Sequence, residues 1–485
     1  MGIYFPTAGQ AAPSGATAST AARIAKRAPR AGEWWMGISL GGNKLGYAHV
    51  AAGPAHLEDR DVYRVHTSTW THTTVLGYSM EQRVEVEEIM RPDLHPLRMT
   101  ARLGSGGKWI EVRARYLADR VEVERRAGEN VVHKTLPIPK GANLVGDVDN
   151  AFLYRTVEIG ETRRFTYLNV VTLSLEDATT RILRREALTI GEKHYDTVVA
   201  ETVSPSMEAT AWLLEDGQPV QVLAAPGMLL QRETREQALS GLEDRPYAPE
   251  RDLATQTAVQ TEGTLDSPRE VKRLRLHITG IPERRFVIAD YRQRAEVTDT
   301  ADGFTVDYTV DAETESPQVA LTAAERAEYL ADTAYVQTKA PEIRARAKAA
   351  VGDAQGERAR VEALWRWVHE HMRAQGDIGL PRSALEVLQE PVGVCRDYAT
   401  LYTALARAQG IPTRLCAGIL YFKDRFYYHA WAESYAGGRW IPVDTTEPPA
   451  FVDATHIKFV QGDAAAMYGA VKVIGRLRAV IREAK

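Results

Sequence analysis

A chain of 485 residues exceeds one ordinary hydrophobic core and implies two to four domains, at about 100 to 200 residues each. Hydrophobic residues at 44% and charged residues at 26% are the balance of a globular protein and exclude wholesale disorder. The formal charge of −4 carries no basic excess, which argues against nucleic acid or an anionic membrane as partner.

Residues 1–31 are rich in Ala, Ser, Thr, Gly and Pro and carry Arg23, Lys26, Arg27 and Arg30 without the apolar run of a signal peptide. They are expected to be a disordered segment. Taken as given, the sequence reads as cytoplasmic, or as exported if a leader is missing. No run of about 18 apolar residues occurs, so no membrane span is expected.

Aromatic and β-branched residues then take over. Residues 34–40 and 45–50 flank Gly41-Gly42-Asn43-Lys44 and predict a hairpin. Residues 62–74 and 78–90 alternate, Pro92 and Pro96 break the pattern, and 109–116 and 120–126 add strands after a turn at 104–107. The stretches 154–172, 187–202 and 220–224 continue the alternation, and 232–241 has helical spacing. One large, half-open antiparallel β domain over 32–243 accounts for this. Residues 244–268, polar and punctuated by Pro246, Pro249, Gly263 and Pro268, read as a linker. Alternation over 271–279, 285–291 and 304–310 predicts a small β module spanning 269–319.

The last domain, 320–485, changes period. Residues 341–351 and 356–372 read as helices, the second with Val361, Leu364, Trp365 and Val368 at core spacing. Ser383 caps a short helix. A longer helix begins at Cys395, buries Tyr398, Leu401, Tyr402, Leu405 and Ala408, and stops at Gly410 and Pro412. Strands at 413–422, 426–435 and 439–443 follow. A cysteine in the first turn of a helix meets free N–H groups and the positive end of the dipole, both of which favour the thiolate. His429, on a strand 34 residues later, and Asp444, a further 15 residues on, supply an imidazole base and an orienting carboxylate. Attack of such a thiolate on an amide gives a thioester; water then makes a hydrolase and an amine makes a transferase. The three residues do not decide between them.

The motifs carrying these residues are Gly-Val-Cys at 393–395, Arg-Ala-Gln-Gly-Ile-Pro at 407–412, His-Ala-Trp at 429–431 and Val-Asp-Thr at 443–445. In that order they resemble the transglutaminase-like superfamily, and 453–457 with 462–463 resemble the ending of bacterial members. The resemblance covers roughly 320–485. It implies a multidomain chain in which β-rich N-terminal domains precede an α+β papain-like C-terminal domain. It further implies Cys395 as nucleophile, His429 as base and Asp444 as third member, with Trp431 beneath the histidine as a candidate substrate contact. Val394 departs from the acidic or polar residue of some relatives. The short Cys-to-His spacing leaves little room for the calcium-binding loops of animal tissue transglutaminases, so calcium dependence is not implied and neither metal nor cofactor is expected. The implied function is a calcium-independent cysteine enzyme acting on an amide of a peptide or protein, as a protease or amidase. Amine transfer to a protein glutamine and a non-catalytic interaction module are the alternatives. Oligomeric state stays open.

Other side chains admit plainer readings. Cys416 falls in an apolar strand, as core or as partner of a regulatory disulfide to Cys395. His369-Glu370-His371 lacks the i, i+4 spacing of a helical zinc site, and His66 and His72 stand about 20 Å apart on an extended strand. Trp365 and Trp367 read as core and rim of a helix, with an oxyanion-donor role as the alternative. Asp453 and His456 either line the cleft or cap the next element. Arg113, Arg115, Arg120, Arg125 and Arg126 read as the wet face of a sheet, or as a substrate-binding surface.

Overall fold

A computed structural model describes residues 31–146, 158–242, 247–448 and 451–485. Residues 1–30 of the expected disordered segment, 154–157 of an expected strand and 244–246 of the expected linker lie outside the described residues.

Alternating side chains build long antiparallel strands: Gly32–Leu40, Asn43–Leu57, Arg60–Val75 and Tyr78–Met90 open the series. Fourteen strands among the described residues join one sheet in which almost every neighbour in space is a neighbour in sequence. The exception is Gly32–Leu40, which pairs on its other side with Met228–Glu233, so the meander runs outward in both directions from its own start. The two outer strands, Asn130–Pro137 and Thr162–Asn169, approach each other: Leu144 bridges Thr166, and Leu136, Leu144, Leu168 and Leu173 share a core with Met99, Val112 and Val123. The sheet is therefore curled. The expected strand 187–202 is in fact two, Ser174–Ile190 and Lys193–Val203, because Gly191 adopts a φ of 58° and turns the chain there.

Arg125 corrects the wet-face reading. Whereas Arg113, Arg115, Arg120 and Arg126 are 42% exposed or more, the Arg125 side chain is 0% exposed. It donates to both carboxylate oxygens of Glu386 at 2.6 and 3.0 Å, donates to Pro381 O at 3.0 Å and lies 5.4 Å from the Tyr335 ring centroid. These partners belong to the C-terminal region, so strand Arg120–Ala127 docks the sheet there. Arg125→Leu is expected to lower stability by about 3–5 kcal/mol, because it strands a mostly buried carboxylate. A lowered urea midpoint, partly restored by adding Glu386→Leu, checks this.

A second sheet holds five strands: Arg273–Thr279, Gln293–Thr300 and Gly303–Asp311, with Gln260–Glu262 and the C-terminal Arg478–Ala484. Residues 285–291 do not form the expected strand. They turn through Arg284–Phe286, and Asp290 Oδ1 accepts the N–H of Arg292 and Gln293, so the strand starts only at Gln293. The stretch read as a linker is anchored to the fold at several buried residues. Asp252, 1% exposed, accepts the N–H groups of Ala254, Leu76 and Gly77, while Val259 and Leu265 enter the second core.

The C-terminal unit sets helices Pro341–Val351, Glu357–His371, Ala384–Gln389 and Cys395–Ala408 against a four-stranded sheet. The strand order is Arg439–Val443, Arg425–Ala436, Thr413–Phe422, Ile457–Gly462. Leu401, Tyr402 and Leu405 pack with Val361, Leu364 and Val368 on one side and with Leu415, Ala432 and Ala436 on the other. Among the described residues no helix is long and apolar enough to cross a membrane.

Candidate active site

The nucleophile candidate is delivered by a tight approach. Val392-Gly393 pairs with Arg373-Ala374, and the next residue but one, Cys395, is the first of helix Cys395–Ala408. Gly393 is required by space: a Cβ there would stand 2.4 Å from Asp397 Oδ2. That buried carboxylate accepts the Val394 N–H at 3.0 Å and so ties the turn to the helix. Val394, at the N-cap, offers no side-chain acceptor, and the positive end of the helix dipole falls at the thiol.

His429 sits on strand Arg425–Ala436, opposite Gly418 in register. A Cβ on Gly418 would lie 1.8 Å from Ile457 O, so only glycine lets strand Ile457–Gly462 close on the histidine's neighbour. The His429 ring and the Ala430 backbone are the groups that act on the half-buried Cys395 thiol, and both lower its pKa. On its far side His429 Nε2 lies 2.8 Å from Asp444 Oδ2. Asp444, 4% exposed, stands directly after strand Arg439–Val443; its Oδ1 accepts the Thr446 N–H at 2.9 Å and the Thr446 hydroxyl at 2.8 Å.

Electrostatics follow from this contact order. Burial pushes the Cys395 thiol up, but the His429 hydrogen bond and charge, aided by the Ala430 N–H, outweigh it and hold the thiol below its ordinary value. Burial disfavours the charged His429 ring, yet the Asp444 charge and hydrogen bond raise it to about 10. Asp444 resists burial through its two imidazole partners, His429 and then His456, and lies well below the usual carboxylate range. A thiolate beside an imidazolium is the state these shifts favour.

His456 is the member that sequence reasoning left undecided between cleft and cap. It is 4% exposed, and its Nε2 lies 3.2 Å from the same Asp444 oxygen that meets His429. His429, Asp444 and His456 each offer a potential metal-ligand atom within 4.8 Å of the others, and each of those atoms already has a hydrogen-bond partner inside the group. Trp431 corrects its expected substrate contact: at 2% exposure it has almost no surface to offer. Its ring lies nearly parallel to His429 at 6.2 Å and edge-on to His456 at 5.3 Å, which holds both imidazoles. Trp365 donates its indole N–H to Asp444 O at 2.7 Å, so it braces the carboxylate's backbone, and that N–H is committed away from an oxyanion role. His369 and His371 stack on Trp365 and Trp367 one turn earlier. Cys416 is buried opposite Trp431, and burial pushes its thiol up strongly.

Residues 344–445 match the model of the transglutaminase-like superfamily. An uncharacterized Mycobacterium leprae protein is 33% identical over 92 residues, 17% of this chain and 33% of that protein, so the match spans about a third of the relative's length. Among solved structures, a candidate cysteine protease from Cytophaga hutchinsonii aligns at 19% identity and TM-score 0.29, covering 44% of this chain and 89% of its own. A β-barrel-like protein of a domain of unknown function from Brucella abortus aligns at 8% identity and TM-score 0.32, covering 41% of this chain and 94% of its own. A candidate protease from Parabacteroides distasonis aligns at 11% identity and TM-score 0.21, covering 82% of this chain and 69% of its own. Behind a large β-rich N-terminal region, this chain carries a transglutaminase-like superfamily core at residues 344–445.

Proposed function

We propose that the chain is a cysteine hydrolase that cleaves an amide of a peptide or protein through a thioester on Cys395. The observation that supports this most is the 2.8 Å hydrogen bond between His429 and the buried Asp444 carboxylate, next to a Cys395 thiol at a helix start whose pKa the His429 ring lowers. The Cys395 thiolate adds to the amide carbonyl carbon, and the carbonyl π electrons move to oxygen, where the Cys395 N–H stands as a donor. The oxyanion collapses, the C–N bond breaks, and the His429 imidazolium gives its proton to the leaving nitrogen. Neutral His429 then takes a proton from water as the oxygen attacks the thioester. The C–S bond breaks, the acid is released, and the thiolate–imidazolium pair returns. Asp444 keeps the ring oriented throughout.

Denatured casein and a glutamine-containing peptide test the reading. New α-amino groups from casein, or ammonia from the peptide, are expected with the native chain, and Cys395→Ala is expected to remove at least ~10³-fold of the rate. Ammonia release that depends on an added primary amine assigns amine transfer instead. Activity that survives Cys395→Ala excludes Cys395 chemistry altogether.

A further inference from the structure

We infer that His456 is a positioning residue for this site: it fixes the Asp444 carboxylate from behind, and is itself fixed by an ionic anchor from the small β module. The inference rests on the activated-cysteine reading above. Asp444 Oδ2 carries two imidazoles, His429 Nε2 at 2.8 Å and His456 Nε2 at 3.2 Å, while Oδ1 is held by Thr446. Both oxygens are thus committed, and the carboxylate has one orientation that satisfies all of its donors. A buried carboxylate that loses such a donor gains an unsatisfied lone pair and a rotation that the remaining bonds do not forbid.

The anchor continues outward. His456 Nδ1 lies 3.3 Å from Asp453 Oδ1, which also accepts the Thr455 N–H at 2.7 Å and the Thr455 hydroxyl at 2.6 Å. The other Asp453 oxygen is paired with Arg269 Nη1 at 2.5 Å, and Arg269 also donates to Tyr421 O. Arg269 belongs to the turn Pro268–Glu270, which leads into the five-stranded sheet. An unbroken sequence of contacts therefore runs from Arg269 through Asp453, His456 and Asp444 to His429, the ring that lowers the Cys395 thiol pKa. His456 meets His429 edge-on at 5.7 Å and Trp431 at 5.3 Å, so its ring has little freedom to turn. Buried behind the carboxylate, it acts through Asp444 and not on the substrate. This gives the small β module a role in the site: it supplies the charge at the far end of the chain.

His456→Phe keeps a flat ring and removes both nitrogens; His456→Gln keeps one N–H donor. The readouts are the pH profile of Cys395 labelling by iodoacetamide and the separate kcat and KM on the glutamine peptide. In His456→Phe the apparent thiol pKa is expected to rise by about one unit, with kcat down about tenfold and KM unchanged. His456→Gln is expected to recover kcat to within about threefold of the native value, which a loss of packing alone would not allow. Should His456→Phe fail to fold, Asp453→Asn replaces it, with a smaller shift expected in the same direction. A depressed thiol in the native chain that stays unchanged in His456→Phe overturns this inference and leaves the activated-cysteine reading intact. A His456→Gln variant as impaired as His456→Phe likewise overturns it. A native thiol that titrates near the free value of about 8.5 overturns the activated-cysteine reading and this inference with it.

Discussion

Iodoacetamide is expected to label Cys395 of the native chain well below the pH of about 8.5 at which a free thiol ionises, and to leave Cys416 unlabelled. The two cysteines share one domain and differ in surroundings. Cys416 is buried opposite Trp431, and burial alone dominates its thiol, which moves up. Cys395 also suffers burial, but His429 and the Ala430 N–H reverse the sign. His429→Ala removes the larger part of that reversal and leaves the desolvation, so the thiol is expected to move above its free value. Labelling at neutral pH then falls by at least about tenfold, since each unit of pKa is a factor of ten in thiolate. The upper limb of the activity profile belongs to the ring itself. His429 is raised to about 10, so the imidazolium that must protonate the leaving nitrogen persists through neutrality and is lost only as the pH passes that value. Activity is therefore expected to plateau between the depressed thiol titration and about pH 10. A profile centred on an ordinary histidine near 6.5 contradicts the coupling.

How much of this was legible beforehand depended on the range of each interaction. Strand alternation and helix periodicity are local, and the hairpin at the front, the helix at Cys395 and the three strands after it were readable from residue order alone. The closeness of His429 and Asp444 was legible too, because their strands follow directly and pair. Partners distant in sequence were not legible. Arg125 looks like its exposed neighbours until Glu386, 261 residues away, is brought against it. Strand Arg478–Ala484 finds its place beside Arg273–Thr279 across the whole C-terminal unit. The polar stretch before 268 looked like a linker because Asp252, which helps to organise it, caps N–H groups of a distant hairpin as well as its own helix. For Trp431 the residue type was noticed, but burial decides between packing and substrate contact, and burial is a property of the assembled sheet.

Glu433→Gln is expected to be among the most destabilising single substitutions in the C-terminal unit, although it changes no volume. Glu433 lies on the same strand as His429 and is 2% exposed. One oxygen accepts from Arg414 at 2.8 Å, and the two oxygens accept from Lys458 Nζ at 2.8 and 2.9 Å. Lys458 is shared with Asp290 at 2.7 Å, and the Arg414 guanidinium lies 4.0 Å from the Trp440 ring centroid. Neutralising Glu433 leaves two buried cations with one carboxylate between them, a loss of about 3–5 kcal/mol by the usual cost of breaking a buried pair. The pH dependence identifies the cause. Burial pushes the Glu433 carboxyl up, but Lys458 and Arg414 together lower it to about 2. A folded value below the unfolded one gives stability that is complete above the unfolded value, near 4.3, and is lost as the pH falls toward the folded value. The stability gap between native and Glu433→Gln chains should therefore be widest at neutral pH and narrow as the pH falls from about 4 toward 2. Asp453 is lowered over the same window but is common to both chains, so it cancels in the difference. Urea midpoints at several pH values measure the gap. If it is constant with pH, the loss is one of packing and not of charge. The same strand carries His429, and Lys458 follows His456 by two residues, so this network sets the register on which both imidazoles meet Asp444.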